Sequence, residues 1–154
     1  MPKQEFLIAM RYLAASVSVI SAKDSSNKPF AMTASSVTSL SMDPPSILVC
    51  VNREASIHNI LSAGSDLCIN ILTNDQRDIS NLCSSKDLEP SRFSNDFWNH
   101  AESPYLKNAQ ANIFCKIDEL ISYHSHSIVI ARVESAKSAD SFNTLMYADG
   151  GYLG

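Results

Sequence analysis

Two short stretches carry side chains suited to holding a phosphate. Thr33-Ala34-Ser35-Ser36 places three hydroxyls within four positions, and Val51-Asn52-Arg53-Glu54-Ala55-Ser56 runs from an apolar segment into a helix start. Hydroxyl groups, the amide of Asn52 and the N–H groups that open a helix near Ser56 would all aim donors at an anion. The same residues have a plainer reading, in which Thr and Ser suit a half-buried strand and Ser56 is a helix cap. The glycines narrow the choice. There are four, three of them in the last five residues, so neither a G-x-G-x-x-G turn nor a Walker loop can be assembled elsewhere. A Rossmann nucleotide site is excluded, and any phosphate falls to the hydroxyl-rich stretches.

Histidine supplies the ionisable candidates. His126 opens an apolar run, and His124 lies two positions earlier, where a strand would point both rings to one face. Such a pair can begin a metal site, but no third ligand is evident, so no metal is assigned. Cys50, Cys68, Cys83 and Cys115 show no C-x-x-C spacing, and the first, second and fourth sit in apolar, strand-like runs as buried reduced thiols.

These residues need positioning elements. Phe6, Leu7, Met10, Leu13 and Ala14 fall near helical spacing and predict an amphipathic helix over Gln4 to Ala15, packed on the strands beyond it. From Val17 the period drops to two. Strands are predicted from Val17 to Ala22, from Phe30 to about Leu40, from Ile47 to Val51 and from Leu67 to Leu72, with Asp43-Pro44-Pro45 breaking the second from the third. Ser56 to about Ala63 predicts a short helix stopped near Gly64, and Thr73-Asn74-Asp75-Gln76 has the form of a capping box for a helix carrying Ile79, Leu82 and Cys83. Ser84 to Pro104 is irregular. Further strands are predicted over Ala111 to Ile117, Leu120 to Tyr123, Ser127 to Val133 and Thr144 to Tyr147, before the turn Asp149-Gly150-Gly151. Seven to eight short strands with three short helices describe a mainly antiparallel barrel, not repeated βαβ units.

Composition agrees with one domain over residues 1–154. At 45% hydrophobic the chain can bury roughly two-thirds of its unfolded surface. A net charge of −4 with no basic stripe argues against nucleic acid, and the apolar runs are too short to span a bilayer. The N-terminus lacks a basic and apolar leader, which predicts a cytoplasmic location.

The run Met32-Thr33-Ala34-Ser35-Ser36-Val37-Thr38-Ser39-Leu40-Ser41-Met42-Asp43-Pro44-Pro45 resembles the strongest signature of the flavin reductase domain, the small partner of two-component flavin-dependent monooxygenases. Supporting matches come in order along the chain: Cys68-Ile69-Asn70-Ile71-Leu72, Arg92-Phe93, Ser125-His126-Ser127-Ile128 and Tyr147-Ala148-Asp149-Gly150-Gly151-Tyr152. The resemblance implies a homodimeric FMN-binding split β-barrel, antiparallel and Greek-key-like. It implies hydride transfer from NADH or NADPH to FMN or FAD, with reduced flavin passed to a partner monooxygenase. Thr33, Ala34, Ser35 and Ser36 would surround the flavin, Asn52, Arg53 and Ser56 would lie near its phosphate, and His126 would orient the nicotinamide. On the same footing Arg92 would pair with a flavin phosphate while Phe93, Tyr147 and Tyr152 cover a ring, ordinary packing being the alternative for each. Ala31 stands where the family often has glycine, and Ser125 where an aspartate commonly precedes the histidine. Two other classes stay open, a protein that holds flavin permanently as an electron carrier and a non-catalytic dimerising barrel.

Overall fold

The computed structural model describes residues 2–154 and is mainly β, with its strands paired antiparallel and a few short helices between them. In chain order these are a helix α1 (Pro2–Arg11), strands β1 (Ala15–Ser16), β2 (Ser18–Lys23), β3 (Pro29–Ala34), β4 (Val37–Met42), β5 (Pro45–Asn52) and β6 (Asp66–Ile71), and a helix α2 (Arg77–Leu82). They continue with β7 (Trp98–Asn99), β8 (Tyr105–Leu106), β9 (Ala111–Tyr123), β10 (His126–Ser138), β11 (Met146–Ala148) and β12 (Gly151–Leu153). Turns of 3₁₀ helix lie at Ser56–Ile60, Asn74–Gln76 and Lys86–Ser91.

Seven strands form one sheet in the order β3-β2-β6-β9-β10-β5-β4, with β3 and β4 at opposite edges. A flat sheet of that width would hold its edges roughly 29 Å apart. Only Ser35 and Ser36 join β3 to β4, and the three steps from Ala34 to Val37 reach at most about 11 Å. The sheet must therefore curl until its edges meet. Beside this crossing the Cys50 amide donates to the Ser36 carbonyl at 3.3 Å, which carries the β4–β5 pairing up to the join. The hydroxyl-rich run is the seam of a split barrel.

The alternation of side chains divides the core in two. Ile20, Ile47, Val49, Val51, Leu67, Ile69, Ile117 and Val129 point into the barrel. Val17, Val19, Ala31 and Leu72 point outward and are covered by Ile79 and Cys83 of the α2 region and by Trp98, Leu106 and Leu145. A buried polar cluster fastens this second layer. Asn70 donates to the Val19 carbonyl (2.8 Å) and Ser21 Oγ (3.0 Å), and its Oδ1 accepts from the Leu106 amide (3.0 Å) and Asn112 Nδ2 (2.8 Å).

Several expectations are corrected. The second predicted strand is two strands, broken at Ser35-Ser36 where the chain crosses the seam. The two strands predicted over Ala111 to Tyr123 are one, because the polar interruption is a bulge: Ile117 and Glu119 face consecutive residues of β10, leaving Asp118 extra, and its carboxylate takes Arg132 Nε at 2.8 Å. The predicted helix from Ser56 is a five-residue 3₁₀ turn capped by Ala55, and Ser56 makes no capping bond. The first helix stops at Arg11, and none of its residues is buried within the chain, so it does not pack on the strands beyond it. Thr73 and Gln76 do form the capping box.

All four cysteines are free. Cys68 and Cys115 are buried, and burial raises both thiols, Cys115 to about 12, which keeps them protonated. Cys83 is buried too and raised to about 11, whereas Cys50, expected inside, is half-buried on the outer face of β5. Among the described residues no helix is long and apolar enough to cross a membrane.

Candidate functional site

The edge of β3 determines where the site forms. Its outward backbone is capped by the end of α2: the Thr33 amide donates to the Cys83 carbonyl (3.1 Å), and Thr33 Oγ1 donates to the Ser80 carbonyl (2.8 Å). Orphan carbonyls at a helix C-terminus thus satisfy an exposed sheet edge. This contact leaves a cleft on either side, and the two share Thr33 and Ser84.

The larger cleft, about 450 Å³, is lined by Thr33, Ala34, Ser35, Ser80, Tyr147 and Tyr152, among others. The Tyr147 and Tyr152 rings meet edge to face at 5.5 Å. Tyr152 is held by its hydroxyl, which donates to Asn81 Oδ1 at 2.8 Å with Ser80 Oγ equally near. The β11–β12 hairpin closes this end. Asp149 and Gly150 both have positive φ (51° and 78°), as a two-residue type I′ turn requires.

The smaller cleft, about 250 Å³, brings Thr33 together with Asn52, Ser56, Lys86, Glu89 and Arg92. Ser56 Oγ donates to Glu89 Oε1 at 3.0 Å. A five-residue 3₁₀ turn has little macrodipole, so Ser56 contributes a hydroxyl here and not a helix terminus.

The remaining expected site residues are bonded into the protein itself or lie outside the two clefts, and Arg92, which lines the smaller one, is of the first kind. Arg92 is almost fully buried, and its Nε, Nη1 and Nη2 donate to the carbonyls of Leu82 (3.2 Å), Ala31 (2.6 Å) and Ser85 (3.0 Å). Its guanidinium is committed to backbone, so it clamps β3 to the end of α2 instead of reaching out to a phosphate. Phe93 stacks on Trp98 at 4.5 Å and joins the outer core, away from the larger cleft. Ser36 donates to the Cys50 carbonyl (3.1 Å), and Arg53 Nη1 to the His124 carbonyl (3.1 Å), so neither lines a cleft. His126 starts β10 directly opposite Asn52, exposed, with Ser125 Oγ 2.8 Å from Nδ1. The serine hydroxyl stands where the family's aspartate would orient the ring. His124 is not on a strand but in the β9–β10 turn at φ 51°, so the strand alternation expected to set the two rings on one face does not apply. Ala31 lies in regular pairing with Ser21, where alanine is accommodated.

Ser80, Asn81, Ser84, Lys86 and Glu89 are additions that the sequence does not single out. For Ser80 and Asn81 the one sequence signal is that they flank the apolar stripe of α2, a pattern shared with any surface helix, and Ser84, Lys86 and Glu89 lie beyond that helix in the irregular polar stretch.

With this geometry in hand, the class is settled: residues 10–154 match the flavin reductase like domain, and the chain belongs to that family. It is 35% identical over 152 residues to the reductase component of the FADH(2)-dependent resorcinol hydroxylase of Rhizobium sp. (strain MTP-10005), covering 97% of this chain and 85% of that protein. It is also 35% identical over 154 residues to the FMN reductase (NADH) RutF of Stutzerimonas stutzeri (strain A1501), covering 99% and 88%. Among solved structures it superposes on BorF, the flavin reductase component of a bacterial two-component tryptophan halogenase, with a TM-score of 0.87 at 28% identity over 98% of this chain and 96% of that one.

Proposed function

We propose that the chain is an NAD(P)H:flavin oxidoreductase that passes hydride from NADH or NADPH to FMN or FAD and delivers the reduced flavin to a partner oxygenase. The observation that carries this reading is the pair of clefts joined at Thr33 and Ser84 on the barrel seam. Together they offer an aromatic-walled space for a flavin ring beside a polar one in which Thr33, Asn52, Ser56 and Lys86 supply donors for its phosphate and Glu54 and Glu89 stand as acidic neighbours. The flavin supplies the ring that accepts hydride. The residues' task is to bind and orient: Thr33 and Ser35 line the ring's side, Tyr147 and Tyr152 wall it, and Asn52, Ser56 and Lys86 face the phosphate. Bringing nicotinamide and flavin to about 3–3.5 Å is then sufficient for reaction.

The direct test follows absorbance at 340 nm with NADH or NADPH, with and without FMN or FAD. Flavin-dependent loss of absorbance supports the proposal. No turnover with flavin that co-elutes through gel filtration would point to an electron carrier, and no flavin affinity to a non-catalytic barrel.

His126→Ala should lower kcat/KM for the nicotinamide roughly tenfold while flavin Kd changes less than about twofold, because the ring stands on the strand beside Asn52, outside both clefts. Stopped-flow reduction and flavin titration separate the two. An equal loss of flavin affinity would refute the assignment.

We further propose a homodimer. Register puts Leu48 opposite Ile130, and Cys50 opposite Ile128, which in turn faces Ile121, so these apolar side chains share one outer face of the sheet. Ile121 is exposed there, Leu40 and Met42 are exposed on the edge strand β4, and Phe6, Leu7 and Met10 of α1 are uncovered as well. A second copy would bury both surfaces. Light scattering should return twice the chain mass of 16.9 kDa, and a monomer at micromolar concentration would count against the dimer.

A further inference from the structure

The smaller cleft carries anions of its own. Glu89 lies in the 3₁₀ turn Lys86–Ser91, and its carboxylate reaches the 3₁₀ turn Ser56–Ile60, where Oε1 accepts from Ser56 Oγ at 3.0 Å. Arg92 Nη1 stands 3.7 Å from the same oxygen. Glu89 thereby joins two turns that both line the cleft.

A phosphate seated there would need what Glu89 holds. A serine hydroxyl has one proton, and that of Ser56 is given to the Glu89 carboxylate, so a phosphate oxygen receives it only when the carboxylate lets go. Arg92 has little to offer in exchange, because Nε, Nη1 and Nη2 each donate to a backbone carbonyl. The charges lining the cleft also cancel. Glu54 and Glu89 stand against Lys86 and the committed Arg92, so an incoming anion meets no net positive lining.

The fold does not depend on this arrangement. The Glu89 side chain is 43% exposed, and the Ser56 turn is anchored from beneath by Ile57 and Leu61, both buried. An exposed hydrogen bond of this kind adds little stability, whereas a carboxylate beside a phosphate costs affinity directly.

We propose that Glu89 is a specificity-determining residue of the reductase, an internal anion that competes with the flavin phosphate for the Ser56 hydroxyl and lowers the affinity for phosphorylated flavins. The inference rests on the flavin reductase reading, which places the phosphate in the smaller cleft. Binding then draws mainly on the ring in the larger cleft, and the flavin exchanges as a substrate instead of staying as a resident cofactor.

The experiment is isothermal titration of wild type, Glu89→Gln and Glu54→Gln with FMN and with riboflavin, which has the same ring and ribityl chain but no phosphate. Glu89→Gln keeps the shape and an acceptor for Ser56 while removing the charge. It should tighten FMN on the order of tenfold, a fraction of the cost of a close like-charge pair because the side chain is partly exposed, and leave riboflavin within about twofold of wild type. The gain should shrink as salt rises. Glu54→Gln removes a charge not bonded to Ser56 and should tighten FMN by less than about twofold. Unchanged or weakened FMN binding in Glu89→Gln would overturn the proposal. So would equal gains for FMN and riboflavin, which would trace the effect to the ring, or equal gains in the two variants, which would trace it to the cleft's charge as a whole. A protein that reduces flavin but shows no selective gain fails this inference alone. One in which Glu89→Gln tightens FMN alone, yet which oxidises no NADH or NADPH, fails the reductase reading and keeps the role of Glu89.

Discussion

Arg92→Ala should cost about 3–5 kcal/mol of stability, because three carbonyls of a packed region lose charge-assisted partners at once. The bonds reach across chain segments: Ala31 belongs to β3, Leu82 to α2 and Ser85 to the turn beyond it. The Arg92 carbonyl is tied in as well, accepting from Trp98 Nε1 at 2.9 Å. Arg92→Lys should recover little, since one ammonium cannot reach three carbonyls that a planar fork reaches together. Urea denaturation paired with flavin titration checks this. If the alanine variant kept wild-type stability and lost only flavin affinity, Arg92 would be a phosphate ligand after all.

Asn70→Ala should be nearly as damaging, at about 3 kcal/mol. The side chain is fully buried, and both amide protons and the carbonyl oxygen are spent on the Val19 carbonyl, Ser21, the Leu106 amide and Asn112. Removing it strands those partners in a region that water does not reach. The effect should also propagate. Leu106 pairs with Trp98 across β7 and β8, and Trp98 carries Phe93 and holds the Arg92 carbonyl. Trp98 is the single tryptophan, so its emission should shift to the red as the β8 segment loosens. A stability change under 1 kcal/mol with unchanged emission would show that Ser21 and Asn112, which also hold Pro104 and Leu106, suffice without it.

These two residues mark the limit of what a sequence displays. Arg92 stands out there but with the wrong partner, because an arginine beside an aromatic in a polar loop looks available from the sequence; only folding surrounds it with carbonyls. Asn70 stands in a strand-like match with no role of its own. Its four bonds reach residues between 36 and 51 positions away, a separation no local pattern encodes.

What the residues determined by themselves was local and periodic. Alternation from Val17 onward specified strands, Thr73 and Gln76 specified a helix start, Asp149-Gly150 specified a tight turn, and the scarcity of glycine removed the common nucleotide loops. The hydroxyl run Thr33 to Ser36 was marked as a binding stretch by its composition and by resemblance. The tertiary structure decided the rest. It curled the sheet so that this run became the seam, because two residues must join opposite edges, and it brought Ser80, Ser84, Lys86 and Glu89 to the seam from a helix and a turn nearly fifty positions away. It also left Ser36 and Phe93 outside the two clefts, since a side chain's face is set by strand register and packing, quantities that exist only once distant segments have met.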